Sequence, residues 1–197
     1  MSGASPLSTE DPAPIRAFVA LALEERVAAA IAELQRQLRP RLPGIRLVRP
    51  EAIHLTLRFL GATSAEQVAR LRPALAEAAA ACAPGEARVG EVGTFPERGS
   101  PRVLWLGVTL PEQALELQNA CERAARQLGF EPESRPFRPH LTLGRWRDRA
   151  SLPELPQVDL GVARLETLVL FESELRRDGA SYTPLARFAL GRPGVAA

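Results

Sequence analysis

The chain holds two histidines, His54 and His140, and each opens the same tetrapeptide, His-Leu-Thr-Leu. On an extended strand side chains alternate between faces, so His54, Thr56 and Arg58 share one face while Leu55, Leu57 and Phe59 share the other. The same parity sets His140 with Thr142 and Leu141 with Leu143. Each motif therefore offers an imidazole and a hydroxyl side by side, anchored by an apolar face behind. An unperturbed imidazole titrates near about 6.5, so at neutral pH one of a pair can take a proton while the other, protonated, gives one. In-line displacement at phosphorus needs such groups on opposite sides, with hydroxyls such as those of Thr56 and Thr142 donating to the non-bridging oxygens where charge builds. A single His-x-Thr is most often a strand histidine with a hydrogen-bond partner, and a duplicated structural strand would also repeat. That both histidines of the chain carry the motif favours the chemical reading.

Other chemistries lack their residues. Cys82 and Cys121 fit no metal spacing, and no Cys-x-x-Cys or His-x-x-x-His set accompanies the histidines, so a zinc site is disfavoured. The cysteines fall in helical stripes and read as small buried hydrophobes of a reducing compartment. There is no Gly-x-Ser-x-Gly elbow and no phosphate-cradling glycine loop. All 25 basic residues are arginine, yet the formal charge is only +2, too little to hold nucleic acid by bulk electrostatics. Any anion must be recognised by a local cluster.

The 197 residues suffice for one ordinary domain or two small lobes sharing a core. No apolar run approaches the roughly 20 residues that cross a bilayer, and residues 17–23 feed a helix instead of forming a secretory signal. A cytoplasmic protein without membrane partners is expected. Residues 1–14, rich in Ser and Pro, read as a loose tail, as do 191–197. Between them, strand patterns fall near 15–21, 53–61, 87–92, 102–109, 140–145, 165–171 and 182–190, the last two joined by a turn at Asp178-Gly179. Helical stripes run through Val27, Ile31, Leu34 and Leu38, through Val68, Leu71, Leu75 and Ala79, and through Ala114, Leu117, Cys121 and Ala124. Ser64 and Gln67 form a capping box for the second helix, within which Pro73 is a potential kink; Pro111 suits the first position of the third, and Gly129 its end.

Strand, helix and His-Leu-Thr-Leu strand thus occur twice, with pseudo-repeats at about 15–100 and 101–190. Two copies argue for two α+β lobes related by a pseudo-twofold axis, with equivalent strands facing across a cleft. Phe59 and Arg145 sit at equivalent places after their histidines. Strict alternation turns both away from the catalytic face, but a bend or the right-handed twist at the strand end can re-aim them toward the cleft. Arg58, in phase with His54, and Arg135 and Arg138 ahead of the second motif are further candidates for phosphate contact.

The segments HLTLRFLG at 54–61 and RPFRPHLTLGR at 135–145 closely resemble the two signatures of the 2H phosphoesterase superfamily. The likeness is specifically to the RNA 2',3'-cyclic phosphodiesterase (2'-5' RNA ligase) family. It extends over about 15–190 and includes Phe18, Gly93-Thr94-Phe95-Pro96, Trp105, Phe171 and Tyr182. The resemblance implies a single bilobal α+β domain, with two mainly antiparallel sheets flanking a central cleft and helices outside. It implies hydrolysis of an RNA 2',3'-cyclic phosphate end, or of small cyclic nucleotides, to a 2'-phosphate. It implies no metal and no cofactor. His54, Thr56, His140 and Thr142 would be catalytic, and Arg145, Phe59 and Arg58 would bind substrate. The same site run in reverse would join RNA ends through a 2'-5' linkage, and a non-catalytic RNA-end-binding module is the other class kept open. Nothing in the sequence points to an obligate oligomer, so a monomer is expected.

Overall fold

The computed structural model describes residues 13–151, 154–176 and 179–191. The expected tails fall largely in 1–12 and 192–197, and the expected turn at Asp178 in 177–178, outside the described residues. In chain order the elements are β1 (Ile15–Leu21), α1 (Glu25–Leu38), β2 (Ile45–Leu47), β3 (Leu55–Thr63), α2 (Ala65–Ala81), β4 (Gly85–Phe95), β5 (Val103–Thr109), α3 (Glu112–Gln127), β6 (His140–Trp146), β7 (Asp159–Leu165), β8 (Thr167–Arg176) and β9 (Gly179–Ala189). Sequence periodicity passes over β2, which is only three residues long, and β7, whose polar and apolar residues do not alternate cleanly.

Local chemistry sets the helix ends. The Ser64 hydroxyl accepts from the Gln67 backbone N–H while the Gln67 side chain accepts from the Ser64 N–H, closing the expected capping box. α2 runs on through Pro73 to Ala81 as one helix. Pro111 is the N-cap of α3, one position before the expected place. Gly129 follows the end of α3 with φ +84°, the left-handed conformation that glycine takes without strain.

The strands pair antiparallel in the order β7-β4-β5-β6-β3-β1-β8-β9, with β2 beside β6. The expected two sheets are the two halves of this order, joined where β3 meets β6 through one residue pair, Leu55–Leu141. The halves correspond strand for strand: β6-β5-β4-β7 on one side, β3-β1-β8-β9 on the other. β4, which ends the first repeat, pairs with β5 and β7 of the second half, while β8 crosses back to pair with β1. The first repeat lends β4 to one half and the second lends β8 and β9 to the other, so neither half is built by one repeat alone.

The convex side carries the helices and the core. Leu21, Leu55, Leu57, Leu104, Leu106, Leu141 and Leu143 are all buried there against Ile31, Leu71, Leu75 and Leu117. Full burial of one such side chain contributes roughly 2 kcal/mol, so this layer supplies the stability and leaves the concave face free for polar groups.

Candidate active site

The Leu55–Leu141 pair lies on the pseudo-twofold axis, with both side chains in the core. Continued one residue each way, that antiparallel register sets His54 opposite Thr142 and Thr56 opposite His140, on the concave face. The four residues expected to be catalytic therefore come together around one point.

Both imidazoles are oriented the same way. Nδ1 of His54 lies 2.8 Å from the Ala52 carbonyl oxygen, and Nδ1 of His140 lies 2.7 Å from that of Arg138. A carbonyl only accepts, so each Nδ1 carries the proton in these bonds and each Nε2 keeps its lone pair for the cleft.

Their surroundings differ. His54 stacks on Phe18 at 4.6 Å between centroids and meets the edge of Tyr182 at 5.0 Å, with Phe171 at 5.9 Å. Burial draws its pKa down to about 4, a fall that the Ala52 hydrogen bond opposes and the nearby His140 deepens. His140 touches the edge of Phe95 at 5.2 Å. Its pKa is also lowered, first by burial and then by the positive charges of Arg145 and Arg138, against the hydrogen bond to the Arg138 carbonyl. Burial raises the pKa of Tyr182 in the other half, against the positive charge of Arg145.

Phe59 and Arg145 reach the concave face through matching bulges. In β3, Ala20 pairs with Thr56 and Val19 with Arg58, so Leu57 has no partner in β1. In β6, Trp105 pairs with Thr142 and Leu104 with Gly144, so Leu143 has no partner in β5. The extra residue resets the parity: Leu57 and Arg58, like Leu143 and Gly144, are successive buried residues, and the next side chain returns to the cleft. Phe59 is 55% exposed and pairs with Phe18 across the strands.

The same bulge overturns the expectation for Arg58. It is 7% exposed and lies on the helix side, where Nε is 2.5 Å from the Glu122 carboxylate of α3. It also donates to the carbonyls of Phe59 and Glu131. Arg58 is a buried cation paired with Glu122 and turned from the face that His54 and Thr56 share, because alternation fails between Leu57 and Arg58. Arg138 stays near the cleft, 5.2 Å over the Phe95 ring and paired with Glu97 at 2.7 Å, while Arg135 is exposed on the loop ahead of β6.

Residues singled out only within stretches of family likeness turn out to wall the site: Phe18, Phe171 and Tyr182 on one side, Phe95 and Trp105 on the other. The chain has seven phenylalanines, two tryptophans and one tyrosine, and with Phe59 six of these ten gather here. That scarcity was the available signal. Gly93 lets Trp105 lie against β4, since a Cβ there would sit 2.1 Å from the indole ring. A groove of about 470 Å³ extends from His140 past Phe95, Trp105 and Arg138 to Arg88. Among the described residues no group of three His, Cys, Asp or Glu side chains is arranged to hold a metal ion, and no helix is long and apolar enough to cross a membrane.

Twofold-related His-x-Thr strands meeting in one cleft of a curled antiparallel sheet define the 2H phosphoesterase class. The model of the family described as LigT like Phosphoesterase matches residues 21–105 and 108–182. The chain belongs to that family. It is 36% identical over 183 residues to an RNA 2',3'-cyclic phosphodiesterase of Thermus thermophilus, covering 89% of this chain and 90% of that protein. It is 32% identical over 183 residues to the one of Methanothermobacter thermautotrophicus, covering 89% and 99%. Among solved structures it superposes on a Thermus thermophilus protein with a TM-score of 0.82 at 34% identity, over 90% of this chain and 98% of that one. E. coli LigT complexed with 3'-AMP superposes with a TM-score of 0.78 at 28% identity, over 91% and 99%.

Proposed function

We propose that the protein opens 2',3'-cyclic phosphate ends of RNA to 2'-phosphates by acid–base catalysis between His54 and His140, with no metal ion. The observation that carries this reading is the matched pair of imidazoles, each held through Nδ1 by a backbone carbonyl two residues earlier, with Nε2 directed at a shared cleft beside a threonine. The names of the relatives, RNA 2',3'-cyclic phosphodiesterase, point to the same substrate.

In this mechanism His140 Nε2 takes a proton from water, whose oxygen attacks phosphorus. The bond to the 3'-oxygen breaks on the opposite side, and His54 protonates that oxygen. Thr56 and Thr142 donate to the non-bridging oxygens, and Arg145 offsets their charge. In the free cleft both imidazoles are disposed to be neutral. A phosphodiester anion bound between the imidazoles favours a proton on His54, at the leaving oxygen, against the burial that lowers its proton affinity, so the pair titrates as one coupled unit. Phe59 offers its exposed ring face to the base, and the groove beside His140 has room for RNA leading to that end. Residues 15–190 act as one unit, because each repeat completes the other half.

The test is to incubate EDTA-treated protein with RNA ending in a 2',3'-cyclic phosphate and to identify the product isomer. A 2'-phosphate formed without added metal is expected. A 3'-phosphate would overturn the leaving-group assignment; metal dependence would overturn the two-histidine mechanism.

A further inference from the structure

The two bulges share a second feature. The unpaired residue of each points its carbonyl at a glutamine from a helix: Leu143 accepts from Gln35 Nε2 of α1 at 3.0 Å, and Leu57 accepts from Gln118 Nε2 of α3 at 3.4 Å. Gln35 also donates to the Val48 carbonyl at 2.8 Å, while the Val48 N–H donates to Leu143 at 2.8 Å, so the bulge in β6 is tied from two sides. Gln35 is 5% exposed, a polar residue within the apolar stripe of α1 beside Leu34 and Leu38. A buried amide at such a place costs free energy unless it answers a specific acceptor, and here it does.

The arrangement is reciprocal. α1 precedes the His54 motif and holds the His140 strand; α3 precedes the His140 motif and holds the His54 strand. Helices of the same rank in the two repeats thus carry the same residue type to the same backbone atom. We propose that Gln35 and Gln118 are positioning residues of the cleft: by holding the carbonyl of the bulged residue in each motif strand, they keep Arg145 and Phe59 turned toward the substrate. Without the bulge, strict alternation would send both side chains to the helix side. This inference rests on the reading of the cleft as a phosphodiester site.

The test is a double-mutant cycle on a nucleoside 2',3'-cyclic monophosphate, with unfolding midpoints measured alongside. Gln35→Leu is expected to raise KM about tenfold, with kcat within about twofold, and to add less than about twofold when Arg145 is already alanine, because its effect runs through that guanidinium. Gln118→Leu, whose single longer bond makes it the milder change, is expected to raise KM about threefold and to add nothing in a Phe59→Ala background. Should Gln35→Leu fail to fold, the Gln118 cycle decides. Equal losses with and without Arg145, or with and without Phe59, would show a merely structural role and overturn the inference while the functional reading stands. A wild-type protein inert both on the cyclic nucleotide and on RNA ending in a 2',3'-cyclic phosphate would overturn both.

Discussion

The two halves of the cleft use one backbone plan and fill it differently. Each has a histidine held by the carbonyl two residues before it, a threonine two residues after and a bulge beyond. His54, however, is packed among Phe18, Phe171 and Tyr182, whereas His140 faces Phe95, Arg138 and Arg145. Repetition supplies the geometry that in-line chemistry needs, and the unlike walls separate the two imidazoles in proton affinity. Position four after each histidine shows the same contrast. Arg58 pairs with Glu122 on α3, while Gly144 lies where a Cβ would be 2.8 Å from Ile45 Cδ1 and 3.0 Å from the Arg46 carbonyl oxygen of β2. One half has a helix to receive a long cation there; the other has a strand pressed so close that only hydrogen fits.

The sharpest way to break this comparison is to remove each imidazole. Removing a general acid or base is expected to cost about 10²–10⁴-fold in turnover, so His54→Ala and His140→Ala should both lose activity on that scale with the fold intact by circular dichroism. Near-normal turnover in either variant would mean that the two halves are not partners in one reaction.

The unlike fourth positions predict stability instead of rate. Arg58→Ala leaves the Glu122 carboxylate part-buried without its cation, which should cost roughly 2–4 kcal/mol in denaturant unfolding. KM should stay close to wild type if the protein remains folded at the assay temperature. A large rise in KM with unchanged stability would return Arg58 to the substrate face and contradict the bulge.

The difference in walls predicts a difference with pH. His54 titrates near 4 in the folded protein against an ordinary value of 6.5, so between these the unfolded chain binds a proton that the folded one refuses. Stability therefore falls as pH drops through this window, by at most about 3 kcal/mol from this residue. Unfolding midpoints measured from pH 7 to pH 4 should fall less steeply in His54→Gln than in wild type, and less is recovered in His140→Gln. Equal slopes in all three would remove the asymmetry.

Much of this was open to reading in the sequence. Period-two parity paired His54 with Thr56 and His140 with Thr142, and the Ser64 capping box and Gly129 marked helix ends where they fall. Arg58 departs from that parity because a bulge depends on which residue is skipped in pairing with a neighbouring strand, and Leu57-Arg58 carries no local mark of it. The exchange of β4 and β8 between halves was hidden for the same reason, since pairing over long sequence separations leaves no periodic trace. The aromatic wall is not legible as a cluster, because Phe18, Phe171 and Tyr182 lie on three strands that only the tertiary fold brings together.

The smallest expected effect is the one that best separates packing from recognition. Phe59 is an aromatic at a strand end, a residue normally read as core, yet its ring is more exposed than not and meets Phe18 only at 6.0 Å and 46°. Phe59→Ala should therefore change stability by no more than about 0.5 kcal/mol. Stacking of a base on an aromatic ring is worth about 1–3 kcal/mol, so affinity for a nucleoside 2',3'-cyclic phosphate should fall about tenfold. A base-free five-membered cyclic phosphate diester, lacking the group that stacks, should be turned over equally well by both proteins. Stability lost with affinity kept would place Phe59 in the core after all; equal losses on both substrates would make it a contact to the phosphate or sugar. Only a loss confined to the base-bearing substrate fits a bulge whose consequence in this half is to present a ring to the cleft, as its counterpart presents a guanidinium.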